Sequence, residues 1–168
     1  MTRWLAVAGS RIVGDIVCRD VERDVTAAID AGWGIVSGGS TGVDTVAMRV
    51  AYEQSAPQRI FLPIRLDDFC VALTERAAAG KHRVDDVRET IQLLYQVRDA
   101  EPSSICDDTP FSAVDEESFW ARNRRLLDVA DELLAYIVAD SVGTQYTIDQ
   151  AVQRSLPIKV RRYDATNT

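Results

Sequence analysis

A chain of 168 residues, 46% apolar and 27% charged, is long enough for one well-buried globular domain and has nothing of a fibrous or disordered composition. No window approaches the ~18 apolar residues of a membrane span, and the start runs straight into strand-like sequence without secretory-signal anatomy, so a cytoplasmic protein with no membrane partner is expected. A formal charge of −7 opposes a dedicated nucleic-acid binder, because backbone binding draws its affinity from a positive surface.

Residues 4–8 form a short apolar run ended by Gly9-Ser10, as in a buried parallel strand. Residues 20–31 place Val21, Val25, Ala28 and Ile29 on one helical stripe, and Gly32 is a stop. A second strand is expected over 34–37. The spacing of Val43, Val46, Ala47, Val50 and Ala51 then predicts a helix. Residues 59–64 read as a third strand. Residues 68–79 and 84–97 read as helices, and 101–113, with two prolines and several acids, as a loop. A helix over 116–131, a strongly apolar strand over 133–138, a short helix over 147–154 and a last strand over 158–163 complete the order.

Strands separated by helices call for an α/β Rossmann-like three-layer sandwich. Its mostly parallel sheet should have about five or more strands, with helices on both faces. The expectation is a single domain over 1–168, with a helical and acidic-loop insertion around 66–118. Ligands of such sheets bind beyond the carboxyl ends of the strands, at the switch point. The residues after each strand are therefore where function is to be sought.

Cys18, Cys70 and Cys106 are far apart with no C-x-x-C pair, so neither a disulfide framework nor a thiolate metal site is expected. His82 is the only histidine, and its setting, Gly80-Lys81-His82-Arg83, reads as an exposed polar turn. No metal and no cofactor are called for. Seven acidic and no basic residues lie between Asp99 and Glu117; Arg122, Arg124 and Arg125 follow, and Lys159, Arg161 and Arg162 cluster later. Solvated surface is the plain reading of each cluster.

Three junctions suit a phosphate or a ribose. After the first strand, Gly9, Ser10 and Arg11 offer close backbone approach, a hydroxyl with an N–H, and a forked cation. After the second come Gly38, Gly39, Ser40, Thr41 and Gly42, opening a helix whose unpaired N–H groups favour an anion. A valine at Gly39 is accordingly expected to reduce binding more than stability. No Lys-Ser or Lys-Thr follows, so this is not the ATPase loop, and Gly32-Trp33-Gly34 precedes a strand instead of following one. Asp44 in the first helical turn suits a helix cap or sugar hydroxyls better than phosphate. The third junction, 139–147, brings Gly143, Thr144 and Thr147 ahead of a helix.

The ordered set Ala8-Gly9-Ser10-Arg11, Gly38-Gly39-x-x-Gly42-x-Asp44, Arg122-Asn123 and Gly143-Thr144-x-x-Thr147 resembles the Rossmann domain of DNA-processing protein A and its SLOG relatives, which include the Lonely Guy phosphoribohydrolases. The resemblance implies that Arg122 and Asn123 reach the ligand pocket and that the chain forms a homodimer, for which Phe119 and Trp120 offer apolar surface. The leading expectation is a non-catalytic binder of a nucleotide or nucleotide-derived ligand, a sensor or carrier. An N-glycosidic hydrolase of nucleoside monophosphates is the alternative. The paired glutamates of the Lonely Guy enzymes are replaced here by Tyr146 and Thr147, leaving Asp44 as best catalytic candidate and Asp149 as the other. Single-stranded DNA binding, with Phe119, Trp120 and Tyr146 as platforms, ranks third because of the net charge.

Overall fold

The computed structural model describes every residue from Met1 to Thr168. Six strands form one sheet: β1 (Arg3–Gly9), β2 (Trp33–Ser37), β3 (Gln58–Phe61), β4 (Ile105–Cys106), β5 (Glu132–Val138) and β6 (Ile158–Tyr163). Every pairing is parallel, in the order β4-β3-β2-β1-β5-β6. The chain winds outward from β1 to β4 on one side, then crosses back to lay β5 on the other side of β1. The switch point is therefore the crevice between β1 and β5.

Six α-helices cover the sheet: α1 (Asp15–Asp30), α2 (Val43–Glu53), α3 (Leu66–Ala78), α4 (Val84–Ala100), α5 (Glu116–Asp128) and α6 (Val142–Gln153). Strand alternation decides which helix meets which face. Leu5, Val7, Leu134 and Tyr136 pack with the valine stripe of α1 (Val17, Val21, Val25) and with Val43, Val46 and Val50 of α2. Their neighbours Ala6, Ala8, Leu133 and Ala135 face the opposite way, onto Leu126 and Leu127 of α5 and Ile148 and Ala151 of α6. A third cluster joins Ile60, Leu62 and Met48 to Phe69 and Leu73 of α3 and Leu93, Leu94 and Val97 of α4. Both faces of the central strands are thus buried, which is why they read as unbroken apolar runs.

The expected fold class holds, with corrections at element ends. Helix α1 starts at Asp15, not at residue 20, because Val17 extends the i, i+4 stripe one turn earlier. Helix α6 starts at Val142 behind Ser141, so Gly143, Thr144 and Thr147 lie within its first turns and not in a loop before it. The segment 101–113 holds a 3-10 turn at Pro102–Ser104 and the two-residue strand β4, too short to leave a periodic pattern. No helix is long and apolar enough to cross a membrane, and all three cysteines are free.

Candidate functional site

A cavity of about 600 Å³ opens at the switch point. Gly9, Ser10 and Arg11 come to it from the end of β1, and Gly38, Ser40 and Asp44 from the loop between β2 and α2. Helix α5 contributes Phe119, Arg122 and Asn123; the start of α6 contributes Gly143, Thr144 and Thr147. Eleven of the fourteen residues singled out in the sequence meet there. Gly39, Thr41 and Gly42 do not line it.

Much of the donor capacity expected for the ligand is used inside the protein. The Ser10 N–H donates to the Tyr136 carbonyl at 3.0 Å, and its hydroxyl oxygen accepts from the Val138 N–H at 2.9 Å, closing the crevice where β1 and β5 part. The first N–H of α2, on Val43, donates to the Ser10 carbonyl at 3.2 Å. The Asp44 carboxylate accepts from the Ser40 N–H at 3.1 Å. Asp44 is therefore neither a side-chain cap on its own helix nor a free acid; it folds the preceding glycine loop. Within that loop the Ser40 amide, like the Val43 amide after it, faces one of the chain's own acceptors.

Guanidinium groups supply the positive charge of the cavity instead. Arg122 is 5% exposed; its Nη1 donates to the Gly38 carbonyl and its Nε to Asn123 Oδ1 at 2.7 Å. Asn123 Nδ2 donates on to Thr147 Oγ1 at 2.9 Å, and Thr147 to the Gly143 carbonyl at 3.1 Å, so one bonded chain joins α5 to α6. Burial pushes Arg122 down to about 10, with Arg11 adding to that and Asp44 opposing it. Burial also pushes the Asp44 carboxyl up, against the pull of Arg122, the Ser40 N–H and Arg11. Gly38 keeps these two charges close: a Cβ there would collide with the Arg122 guanidinium and come within 2.9 Å of Asp44 Oδ2.

One residue that the sequence did not single out, Arg76, completes this wall together with Phe119. Arg76 of α3 lines the cavity, and the guanidiniums of Arg11, Arg122 and Arg76 lie 4.6, 5.5 and 5.7 Å from the centroid of Phe119. Three cations on one ring, with Asp44 the only buried carboxylate among the lining residues, leave the floor net positive. Asp115, Glu116 and Asp140 line the mouth and are exposed. Phe119 is thus a half-buried member of the cavity and not free apolar surface, and Trp120 stacks on Tyr146 with centroids 4.7 Å apart.

His82, expected in an exposed turn, is buried instead, at 7% exposure. Arg76 Nε donates to its Nε2 at 3.3 Å, which leaves the proton on Nδ1. Nδ1 lies 3.0 Å from Thr41 Oγ1, and that hydroxyl donates to the Arg11 carbonyl at 3.1 Å. A neutral imidazole thus ties Arg76 to the Arg11 backbone. No spacing signal foretells this, since Thr41 and His82 stand 41 residues apart. Burial and then the charges of Arg11 and Arg76 push His82 down to about 4. A histidine whose folded pKa is lowered takes its proton first in the unfolded chain, so its contribution is intact above pH ~6.5 and is lost as pH falls towards 4. The loss should be on the order of 2 kcal/mol. Melting curves at pH 7 and 4.5 should show a larger acid loss for the wild type than for His82→Gln, and parallel curves would contradict the assignment.

The sheet order and the cleft at its switch point define a doubly wound, Rossmann-like α/β domain. By sequence the chain belongs to the family of DNA recombination-mediator protein A, which it matches over residues 1–166. No curated protein matches it. Among solved structures it is similar to the DNA processing protein A of Helicobacter pylori, described for its single-stranded DNA binding, at 18% identity and a TM-score of 0.70, covering 98% of this chain and 69% of that one. Its Streptococcus pneumoniae counterpart gives 15% identity, a TM-score of 0.58 and coverage of 98% and 60%. The molybdenum cofactor binding protein of Rippkaea orientalis gives 15% identity, a TM-score of 0.62 and coverage of 99% and 80%. At these identities the likeness is one of fold, and this chain spans 60% of the pneumococcal protein's length.

Proposed function

We propose that the chain binds a nucleotide or nucleotide-derived ligand in the switch-point cavity, without transforming it. The observation that carries this reading is the convergence of Arg11, Arg76 and Arg122 on Phe119, opposite the open start of α6. The first amides of a helix have no partner within it, and Val142, Gly143 and Thr144 line the cavity. Nothing lies within 4 Å of a Cβ built on Gly143, so a phosphate can reach those amides. Binding of a small cofactor by the Rippkaea protein of the same fold supports a small ligand here.

Single-stranded DNA is the second reading, supported by family membership and by the described activity of the Helicobacter protein. Exposed acids at the mouth and a charge of −7 work against a polyanion crossing it. Titration calorimetry with nucleoside monophosphates, ribose 5-phosphate and an oligothymidine distinguishes the two. Monophosphate binding is expected; tighter, strongly salt-dependent oligothymidine binding would put DNA first, and no heat in any arm would remove both.

Hydrolysis of the monophosphates should be slow or absent. Asp149 is exposed on α6 and bonded to Gln145 at 2.8 Å, outside the cavity. Asp44 lines it, but its carboxylate holds the glycine loop, a role equal in ground and transition states. Robust release of free base that vanishes in Asp44→Asn would overturn the non-catalytic assignment. A homodimer is retained from the family resemblance alone, since Phe119 and Trp120 have partners within the chain; sedimentation giving only the 18.6 kDa species would remove it.

A further inference from the structure

A second cavity of about 430 Å³ adjoins the first and shares Trp120, Asp140, Ser141 and Val142 with it. The two differ in chemistry. In the first, the only ring with cations around it is Phe119, and Arg11, Arg76 and Arg122 already crowd that ring. The first therefore offers donors to phosphate and sugar, and its one further ring, Trp120, is the ring that it shares with the second. The second is walled by the Trp120–Tyr146 stack, whose planes lie 12° apart, with Ile137 and Ala139 beside it. Base–aromatic stacking contributes about 1–3 kcal/mol per base.

The polar groups of the second cavity are unlike those of the first. Gln145 is fixed between Arg162 Nη2, which donates to its Oε1 at 3.2 Å, and Asp149 Oδ1, which accepts from its Nε2 at 2.8 Å. Beside them the second oxygen of Asp149 and the carboxylate of Asp140 are acceptor-only groups with no hydrogen-bond donor in the chain. Such a lining favours a base edge with adjacent N–H donors, as the ring N1–H and exocyclic amine of guanine provide. Ala139, the residue after β5, carries the chain from the sheet into the lining of the second cavity with a φ of 50°.

We propose that the second cavity is the base subsite of a two-part site, taking a guanine-type base onto the Trp120–Tyr146 stack while the phosphate lies among the arginines. This rests on the nucleotide reading above and adds the position and kind of the base. The probes are guanosine monophosphate, adenosine monophosphate and ribose 5-phosphate, measured by calorimetry and by indole fluorescence. The guanine nucleotide should bind roughly tenfold or more tightly than ribose 5-phosphate, the factor that stacking supplies. It alone of the two should quench the indole signal, and the quench should vanish in Trp120→Phe. Tyr146→Ala should bring the guanine nucleotide down towards ribose 5-phosphate, and Asp149→Asn should erase the preference for guanine over adenine. Equal wild-type affinity for ribose 5-phosphate and both nucleotides would overturn the base subsite and leave the phosphate site standing. Equal nucleotide affinities above that of the sugar phosphate would overturn the choice of guanine. Absence of binding by all three would overturn the nucleotide reading itself.

Discussion

Arg122→Ala should abolish ligand binding and lower stability by about 3–5 kcal/mol, the cost of removing one partner from a buried charged cluster. The guanidinium is the donor to the Gly38 carbonyl and to Asn123, and the largest favourable charge beside buried Asp44. Without it the carboxylate keeps its Ser40 bond and the more distant help of Arg11, while burial still opposes its ionisation. The carboxyl pKa then rises further. An acid whose folded pKa is raised is stabilising in its protonated form, and that stability is lost as pH climbs through the folded value. The deficit of the variant should therefore be greatest at neutral pH and shrink on acidification. Arg122→Lys should recover part of the stability and little of the binding, because a single ammonium cannot serve Gly38, Asn123 and a phosphate together. Denaturant midpoints from pH 5 to 8, with calorimetry alongside, measure each part. An alanine variant within 1 kcal/mol of wild type would show that the cluster contributes little.

What the sequence made legible follows from how local each feature is. Strand β5 stood out because both faces are covered, by Tyr136 towards α1 and by Leu133 and Ala135 towards α5 and α6. Strand β6 has the expected span, residues 158–163. Gly9, Arg11, Gly38 and Asp44 were found because the loops after parallel strands must meet at one edge. The partner choices within that edge were not readable. Whether Asp44 would bind sugar, cap its helix or hold the Ser40 amide depends on a loop path that only packing fixes. Arg76 and His82 escaped for a related reason: Arg76 comes to the cavity from α3, a stretch with no motif, and burial of His82, in the turn between α3 and α4, depends on Thr41 and Arg76 meeting it.

Gly39→Val reverses the expectation drawn from its loop, and its main effect should be on stability. Gly39 has a φ of 69°, a conformation that costs a branched residue about 1–3 kcal/mol. Its missing side chain does not point at the ligand cavity. A Cβ there would lie 2.5 Å from Leu62 Cδ2 and 3.0 Å from Ile60 Cγ2, both in the core between β3 and the α3–α4 pair. Leu62 and Ile60 are fully buried, so they have nowhere to yield, and overpacking adds about another 1–3 kcal/mol. The sum, about 2–6 kcal/mol, is comparable with the whole stability of many domains. Gly143→Ala is the contrasting change, since nothing lies within 4 Å of its Cβ and an alanine in a helix is favoured over glycine by up to about 1 kcal/mol. That variant should melt no lower than wild type yet bind phosphate less well, because the methyl group would occupy open space at the start of α6 where a phosphate would approach. Thermal melts and calorimetry on both variants give the test. If Gly39→Val melted normally and only its binding were lost, the loop after β2 would be the phosphate cradle.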